Sequence, residues 1–469
     1  MTAGMDESSL RALLKRAVAG EPPAGPIVPR SVAAGVRLRR RRRVTSFAAC
    51  AACAAVIVAV GVAVPALRTG SRPAPASAVG IPSTLYVTSE FGDEPVSSGA
   101  VTPISVRTGA VGQQIDTGEC SLIVSTPDGR TLYVASAGVS GWVQPVSTVT
   151  GTAGRPITVV PQPEAMAITP NGKTLYVASA NFNRSKGWVT PISVATGKAG
   201  PPIGVPWTPS SMAITPNGKT LYVLSTTSGT VTPISVATGK AGQTIWIFGQ
   251  PRAMVITPNG KTLYVSQFAR NAVIPISVAT GKVGRPIPTG AGPGPMVITP
   301  DGRTVYAADV GGVGSTVTPI SVATDTARPR IPVGQAPAAI AITPDGKTLY
   351  VADVTGRVTP VSVATDRTGP TITVAQEPDQ IVVTPDGRLA YVLSDIGPQD
   401  GTVTAIVTAT NTAGRAITIA GAAFGHMVLV PEPLLVPGAF ARAGRKVVDG
   451  AGDGTLPVSA VSSARSLRA

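Results

Sequence analysis

The chain has 469 residues, of which 13% are charged and 4% aromatic, with 52 Gly, 45 Pro and a formal net charge of +15. This composition, rich also in Val, Ile and Thr, predicts many short strands and tight turns and argues against a helical fold. The charge is concentrated: residues 1–43 carry a net +7 and residues 431–469 a net +2, leaving +6 for everything between. The basic balance is therefore in part a topology signal, and no dense basic stripe with interleaved aromatics points to nucleic acid.

Residues 1–43 form a segment on the cytoplasmic side. Within it Asp6 to Val18 reads as a short amphipathic helix, with Leu10, Leu13, Leu14, Ala17 and Val18 on one stripe. Acids at its start and Lys15 and Arg16 near its end match the helix dipole, and Gly20 with Pro22-Pro23 stops it. A helix this short is marginal in water, so the alternative is a largely unfolded segment. Arg39 to Arg43 are five consecutive arginines, and Val44 to Leu67 then runs 24 residues without a charge. A helix of that length covers about 36 Å, enough for the ~30 Å hydrocarbon layer. Arginines directly before a span stay in the cytoplasm. The reading is a single uncleaved anchor at 44–67, with the N-terminus inside and the rest outside. The alternative is export with cleavage at Ala76-Ser77-Ala78, which lies rather far beyond a rather long apolar run. Cys50 and Cys53 fall inside the span, where a redox pair would lack polar neighbours. Cys120 is the one remaining cysteine, so no disulfide framework supports the exported part. Residues 68–83 form a Pro/Ala/Ser linker.

From about residue 84 to 430 the chain repeats. The Thr of a Thr-Pro-Asp/Asn-Gly turn falls at 126, 169, 215, 257, 299, 343 and 384, with spacings of 43, 46, 42, 42, 44 and 41, the period of a propeller blade. Each period reads as four strands. Ala165–Thr169 is an inner strand ending in a Pro-Asn-Gly turn, and Thr174–Ser179 is the second, with apolar Leu and Val alternating with Tyr and Ser. Trp188–Val194 is the third, and Pro202–Val205 a proline-bearing outer strand. The repeat opens on a second strand at Leu85-Tyr86-Val87 and closes on a first strand at Met427-Val428-Leu429-Val430. These two orphan ends complete one blade and leave no open edge. Second strands start at Leu85, Leu132, Leu175, Leu221, Leu263, Val305, Leu349 and Leu389. The expectation is an all-β protein, a β-propeller of eight four-stranded blades (seven if one repeat is displaced), closed by its N- and C-terminal strands and preceded by one transmembrane helix. Residues 431–469, dominated by Gly, Ala, Ser and Arg, read as a disordered tail.

Leu85-Tyr86-Val87-Thr88, the Thr-Pro-Asp/Asn-Gly-Lys/Arg turns and the Val-Thr-Pro-Ile-Ser-Val-Ala-Thr-Gly-Lys segments resemble the YVTN family of β-propeller repeats of actinobacterial membrane-anchored and exported proteins. The resemblance spans roughly residues 84–430. It implies a fold shared with lactonase-like and haem-d1-type propellers and does not fix an activity.

In such a ring the fourth-to-first and second-to-third loops share the mouth of the channel. The mouth loops vary between repeats while the opposite turns are nearly constant, so specificity is written at the mouth. Six residues before the repeat Thr stand Pro163, Pro209, Pro251, Pro293, Pro337 and Pro378, whereas Cys120 and Phe424 take that position in two blades. The binding candidates around it are Glu119, Cys120, Gln162, Glu164, Gln250, Arg252, Glu377, Asp379, Gln380 and His426, with Ser121 and Ser210 beside them. The bland alternative is a set of solvated loop ends. His426 is the only histidine, too little for a metal site or a bis-His haem. With Cys120 and Glu119 it could form a nucleophile–base set across adjacent blades. Isolated Asp/Asn-Gly turns do not gather the six or more oxygens calcium needs. Trp142 and Trp188 are expected to open third strands and pack between blades. The functional expectation is an anchored extracytoplasmic module without cofactor, metal or catalytic residues that binds a protein, glycan or envelope component. A lactonase-like hydrolase or lyase and an adhesive envelope protein are the alternatives.

Overall fold

The computed structural model describes residues 83–91, 98–118, 120–136, 141–180, 186–312, 314–395, 400–420 and 425–431. The expected short helix and span lie outside these residues, as do the linker and the C-terminal tail except for Ser83 and Pro431, which the structure places in strands.

The strands form eight sheets whose innermost members neighbour one another in a closed ring. Blade 1 joins the two ends of the repeat region: Met427–Pro431 pairs antiparallel with Ser83–Phe91, which continues to Ser98–Ser105 and Ile115–Asp116. Blades 2 to 8 occupy residues 122–158, 163–206, 211–246, 251–288, 293–332, 337–373 and 378–420. The seven-blade alternative is thereby excluded. The count has a simple mark in the chain. All eight tyrosines, Tyr86, Tyr133, Tyr176, Tyr222, Tyr264, Tyr306, Tyr350 and Tyr391, occupy the same point of the second strand, one per blade, and every one is buried.

The alternation read in the second strands has a different meaning from inside against outside. In blade 3, Leu175 and Val177 enter a core shared with blade 2, while Tyr176 and Ala178 enter a core shared with blade 4. Both faces of a blade are covered, so the period of two sorts side chains between two interblade cores. Eight such clusters lie between consecutive blades around the ring. Trp142 does open its strand and packs into the cluster between blades 1 and 2. Trp188 is instead the third residue of Lys186–Ser193 and lies beside Gly204 of its own outer strand.

Polar staples add register to this apolar packing. The repeat Thr organises each turn: Thr169 Oγ1 donates to Asn171 Oδ1 at 2.7 Å and accepts from the Thr174 amide at 3.0 Å, while Gly172 takes φ +67°. In blade 2 the same hydrogen bond from Thr126 holds the Asp128 carboxyl below its usual range. At the third-to-fourth turns, Gly occupies the left-handed position in blades 1 to 5 (Gly109 to Gly281), but Asp325, Asp366 and Asn411 occupy it in blades 6 to 8. Each of these accepts a hydrogen bond from the tyrosine of the preceding blade, at 2.5 Å from Tyr264, 3.0 Å from Tyr306 and 2.7 Å from Tyr350. The side chain that makes the φ unfavourable thus gains an interblade bond that glycine cannot make.

Candidate functional site

The mouth is built by the links that cross from the outer strand of one blade to the innermost strand of the next. Five of them place a left-handed residue directly before the proline: Gln162, Gln250, Gly292, Ala336 and Glu377, with φ between 45° and 59°. Steric conflict with the proline ring normally pushes that residue to extended conformations. It is held here because its carbonyl accepts an amide at the end of the second strand, as in Ala180 N to Gln162 O at 2.9 Å and Asp395 N to Glu377 O at 3.1 Å. Strain retained at equivalent points around a ring marks the mouth as over-determined by its surroundings.

A second feature lies one residue further on. In blade 3 Pro163 pairs with Ser179 and Ala165 with Ala178, so Glu164 is an extra residue, a β-bulge at the mouth end of the innermost strand. In blade 8 Pro378 pairs with Ser394 and Gln380 with Leu393, which bulges Asp379. In blade 5 the shift falls between Pro251 and Met254 and includes Arg252. Blades 6 and 7 repeat it with Gly294 and Ala338 in the same place. One constant backbone irregularity therefore carries Glu, Arg, Gly, Ala or Asp, according to blade. Glu164, Arg252 and Asp379 are half-buried there. Arg252 lies over the Phe268 ring at 3.8 Å, and burial lowers its guanidinium from the ordinary value.

The sequence candidates separate accordingly. Gln162, Gln250 and Glu377 hold the strained pre-proline positions of blades 3, 5 and 8, and Glu164, Arg252 and Asp379 the bulges of the same blades. Glu119 lies outside the described residues. Gln380 is buried, its Nε2 donates to Met427 O at 2.9 Å and its Oε1 accepts from Met427 N at 2.7 Å. Cys120 is buried too, and its thiol faces two backbone carbonyls, Ser89 O at 3.6 Å and Ala100 O at 3.4 Å. The main chain of His426 is tied to Thr88: Thr88 N donates to His426 O at 2.9 Å, and His426 N donates to Thr88 Oγ1 at 2.7 Å.

Two acids were missed. Asp309 and Asp353 end second strands where other blades carry Ser, as at Ser89, Ser136, Ser179, Ser225 and Ser394, and both are buried. Asp353 holds its own link and Asp309 ties its strand to the third strand of its blade. Asp353 Oδ2 accepts from Gln335 N at 3.2 Å, and Asp309 Oδ2 accepts from Thr316 and Thr318 at 2.7 and 2.8 Å. Burial raises the Asp309 carboxyl above its ordinary value. The departure from Ser at one repeat position was the available signal. Among the described residues no three His, Cys, Asp or Glu side chains converge as a metal-binding group.

His426 gives the mouth a pH response. Desolvation lowers its imidazole from 6.5 to about 4, although the side chain keeps partial access to solvent. The folded state resists a proton that the unfolded state takes up, so stability is complete above the unfolded value and declines as pH falls from about 6.5 towards 4. Because partial exposure screens the effect, the expected loss is about 1–2 kcal/mol rather than the full shift. Urea midpoints of the parent protein should fall over that interval, and those of His426→Gln should fall less. Parallel pH profiles would contradict the assignment.

No protein-family model matches the chain, and no curated protein matches it. Solved structures do. Dihydro-heme d1 dehydrogenase NirN, in complex with DHE, aligns with TM-score 0.61 at 15% identity, covering 75% of this chain and 76% of that one. Hydrazine synthase of Kuenenia stuttgartiensis aligns with TM-score 0.49 at 23% identity over 64% of this chain and 95% of its own. A protein described as a candidate 6-phosphogluconolactonase from Bacteroides uniformis aligns with TM-score 0.49 at 18% identity over 63% and 98%. At these identities the likeness is one of fold.

Proposed function

We propose that this chain is a membrane-anchored β-propeller, held outside the cytoplasm, that binds an envelope or extracellular ligand at its channel mouth and does no chemistry on it. One observation carries the binding reading: a bulge at one position of the innermost strands displays a different side chain in different blades, on a backbone that is otherwise repeated. Rigid, equivalent display positions with variable chemistry are the arrangement of a recognition surface. The anchoring part rests on the arginine run and the uncharged segment after it.

The binding reading is tested on glycan and peptide arrays with the full chain and with a Glu164→Ala, Arg252→Ala, Asp379→Ala triple variant. Loss of the parent's signal in a variant that melts normally is expected, and equal signals would refute the collar as the binding surface. Lactone and ester substrates serve as the counter-test. Turnover is expected to be absent, and robust hydrolysis abolished by Cys120→Ser or His426→Gln without loss of folding would establish the hydrolase alternative. A reporter fused after residue 80 should be active only outside the cytoplasm, and cytoplasmic activity there would refute the placement.

A further inference from the structure

The link from blade 4 to blade 5 carries an unusual load. Trp246 ends the outer strand Ile245–Trp246 at the mouth face, and Phe248 follows it in the link. Their rings stack with centroids 5.8 Å apart and planes 27° apart, yet the residues are 53% and 55% exposed. The chain has only four Trp and seven Phe, so an exposed stacked pair is not the overflow of an aromatic-rich surface. Nor is it a floppy loop. Ile247 N and Phe248 N both donate to Gly229 O at 2.8 and 3.0 Å, Gln267 Nε2 donates to Ile247 O at 2.5 Å, and Ala269 N donates to Gly249 O at 3.0 Å. Phe248, Gly249 and Gln250 are three consecutive left-handed residues, at φ 56°, 72° and 53°. Gly229 is indispensable beneath them, because a Cβ there would stand 2.8 Å from Phe248 Cα. The fold thus accepts strain and fixes both sides of the link while leaving the rings in water.

A cation lies on the link and a second packs on its neighbour Phe268. Arg270 runs along the link, its Cγ and Cδ 3.0 and 3.1 Å from where a Cβ on Gly249 would lie, and Arg252 sits over Phe268. Neither arginine is in a salt bridge with a carboxylate among the described residues. We infer that Trp246, Phe248 and Arg270 form a platform for an acidic saccharide, the rings stacking on the apolar face of a sugar and the guanidinium meeting its carboxylate or phosphate. The flat C–H face of a pyranose suits the electron-rich face of an aromatic ring, and Arg presents a planar fork to an anionic group. Size separates this from a protein partner. Two half-exposed rings offer roughly 200 Å², well below the ~800 Å² per partner of a standard protein interface. A single-stranded nucleic acid needs a basic groove that follows its backbone, and two arginines beside one aromatic pair do not make one.

This surface lies outward of the bulged collar and is tested apart from it. The full chain is titrated, by tryptophan fluorescence and calorimetry, with a galacturonate hexasaccharide, a phosphorylated oligosaccharide, cellohexaose and an oligothymidylate. The acidic sugars should bind at least about tenfold more tightly than cellohexaose, and whether uronate or phosphate leads identifies the anion. Trp246→Ala should weaken acidic-sugar binding about tenfold or more and Trp246→Phe should restore most of it, while Arg270→Ala should erase the preference over cellohexaose. Both positions are exposed, so folding is checked only by unchanged melting. A Glu164→Ala, Asp379→Ala double variant, which keeps Arg252 over Phe268, should bind these sugars as the parent does, so failure of the collar reading leaves this result intact. No binding of any sugar, binding unchanged in Trp246→Ala, or tighter binding of the oligothymidylate would each overturn the inference.

Discussion

A chain ended at residue 421 is expected to lose the folded ring, whereas one ended at residue 440 keeps it. The difference is the strand Met427–Pro431, which supplies the innermost strand of blade 1 against Ser83–Phe91. Met427, Val428, Leu429 and Val430 are all at most 6% exposed, and they belong to the cores on both sides of blade 1. Four such side chains at about 1.5–3 kcal/mol each amount to about 6–12 kcal/mol, comparable with the whole stability of a typical domain. Removing them also bares an edge of Ser83–Phe91 and breaks the ring at two interfaces, which invites edge pairing between molecules. Size-exclusion chromatography and limited proteolysis of the two truncations measure this directly. A peptide of residues 425–431 added to the shorter chain should restore part of the protection by strand addition. Equal protease resistance of the two chains would mean that the ring is held by other contacts.

Gln380→Ala is expected to destabilise the protein by about 2–4 kcal/mol, because it leaves a buried amide and a buried carbonyl of Met427 without their side-chain partner. This amide lies on the innermost strand of blade 8 and the strand it holds belongs to blade 1, so it clamps the closing strand across the seam of the ring. The pairing is reciprocal, with one donor and one acceptor on each side, which only a primary amide satisfies fully. Gln380→Glu is the informative control. At neutral pH its carboxylate still accepts from Met427 N but faces Met427 O with lone pairs, so stability should be intermediate and should improve on mild acidification. Chemical denaturation of the three proteins at neutral and mildly acidic pH decides the point. A Gln380→Ala protein as stable as the parent would return Gln380 to the mouth.

The ring is legible in the chain. Turn chemistry at a near-constant period, strands rich in β-branched residues, and two orphan strands at the ends are local signals that add up over eight repeats, and they were enough for fold class, blade number and closure. They also singled out Glu164, Arg252 and Asp379 as candidates, and these three lie at register shifts of the innermost strands. What no local signal carried is how strands meet. The bulges that display those three residues are defined by pairing against a second strand about fifteen residues away, so their existence is a matter of register, which spacing alone does not fix. The same limit hides the partners of Gln380: a polar residue at a loop end reads as solvated until the backbone it faces, 47 positions away, is brought beside it. The partners of Cys120 are equally invisible in the chain, since the carbonyls around its thiol come from other strands. Asp309 and Asp353 look like exposed acids in the chain, and only the folded ring shows that they are buried, Asp309 against its third strand and Asp353 against its link. Tertiary structure decided which polar groups face water and which face backbone, because burial depends on what the closed ring brings together.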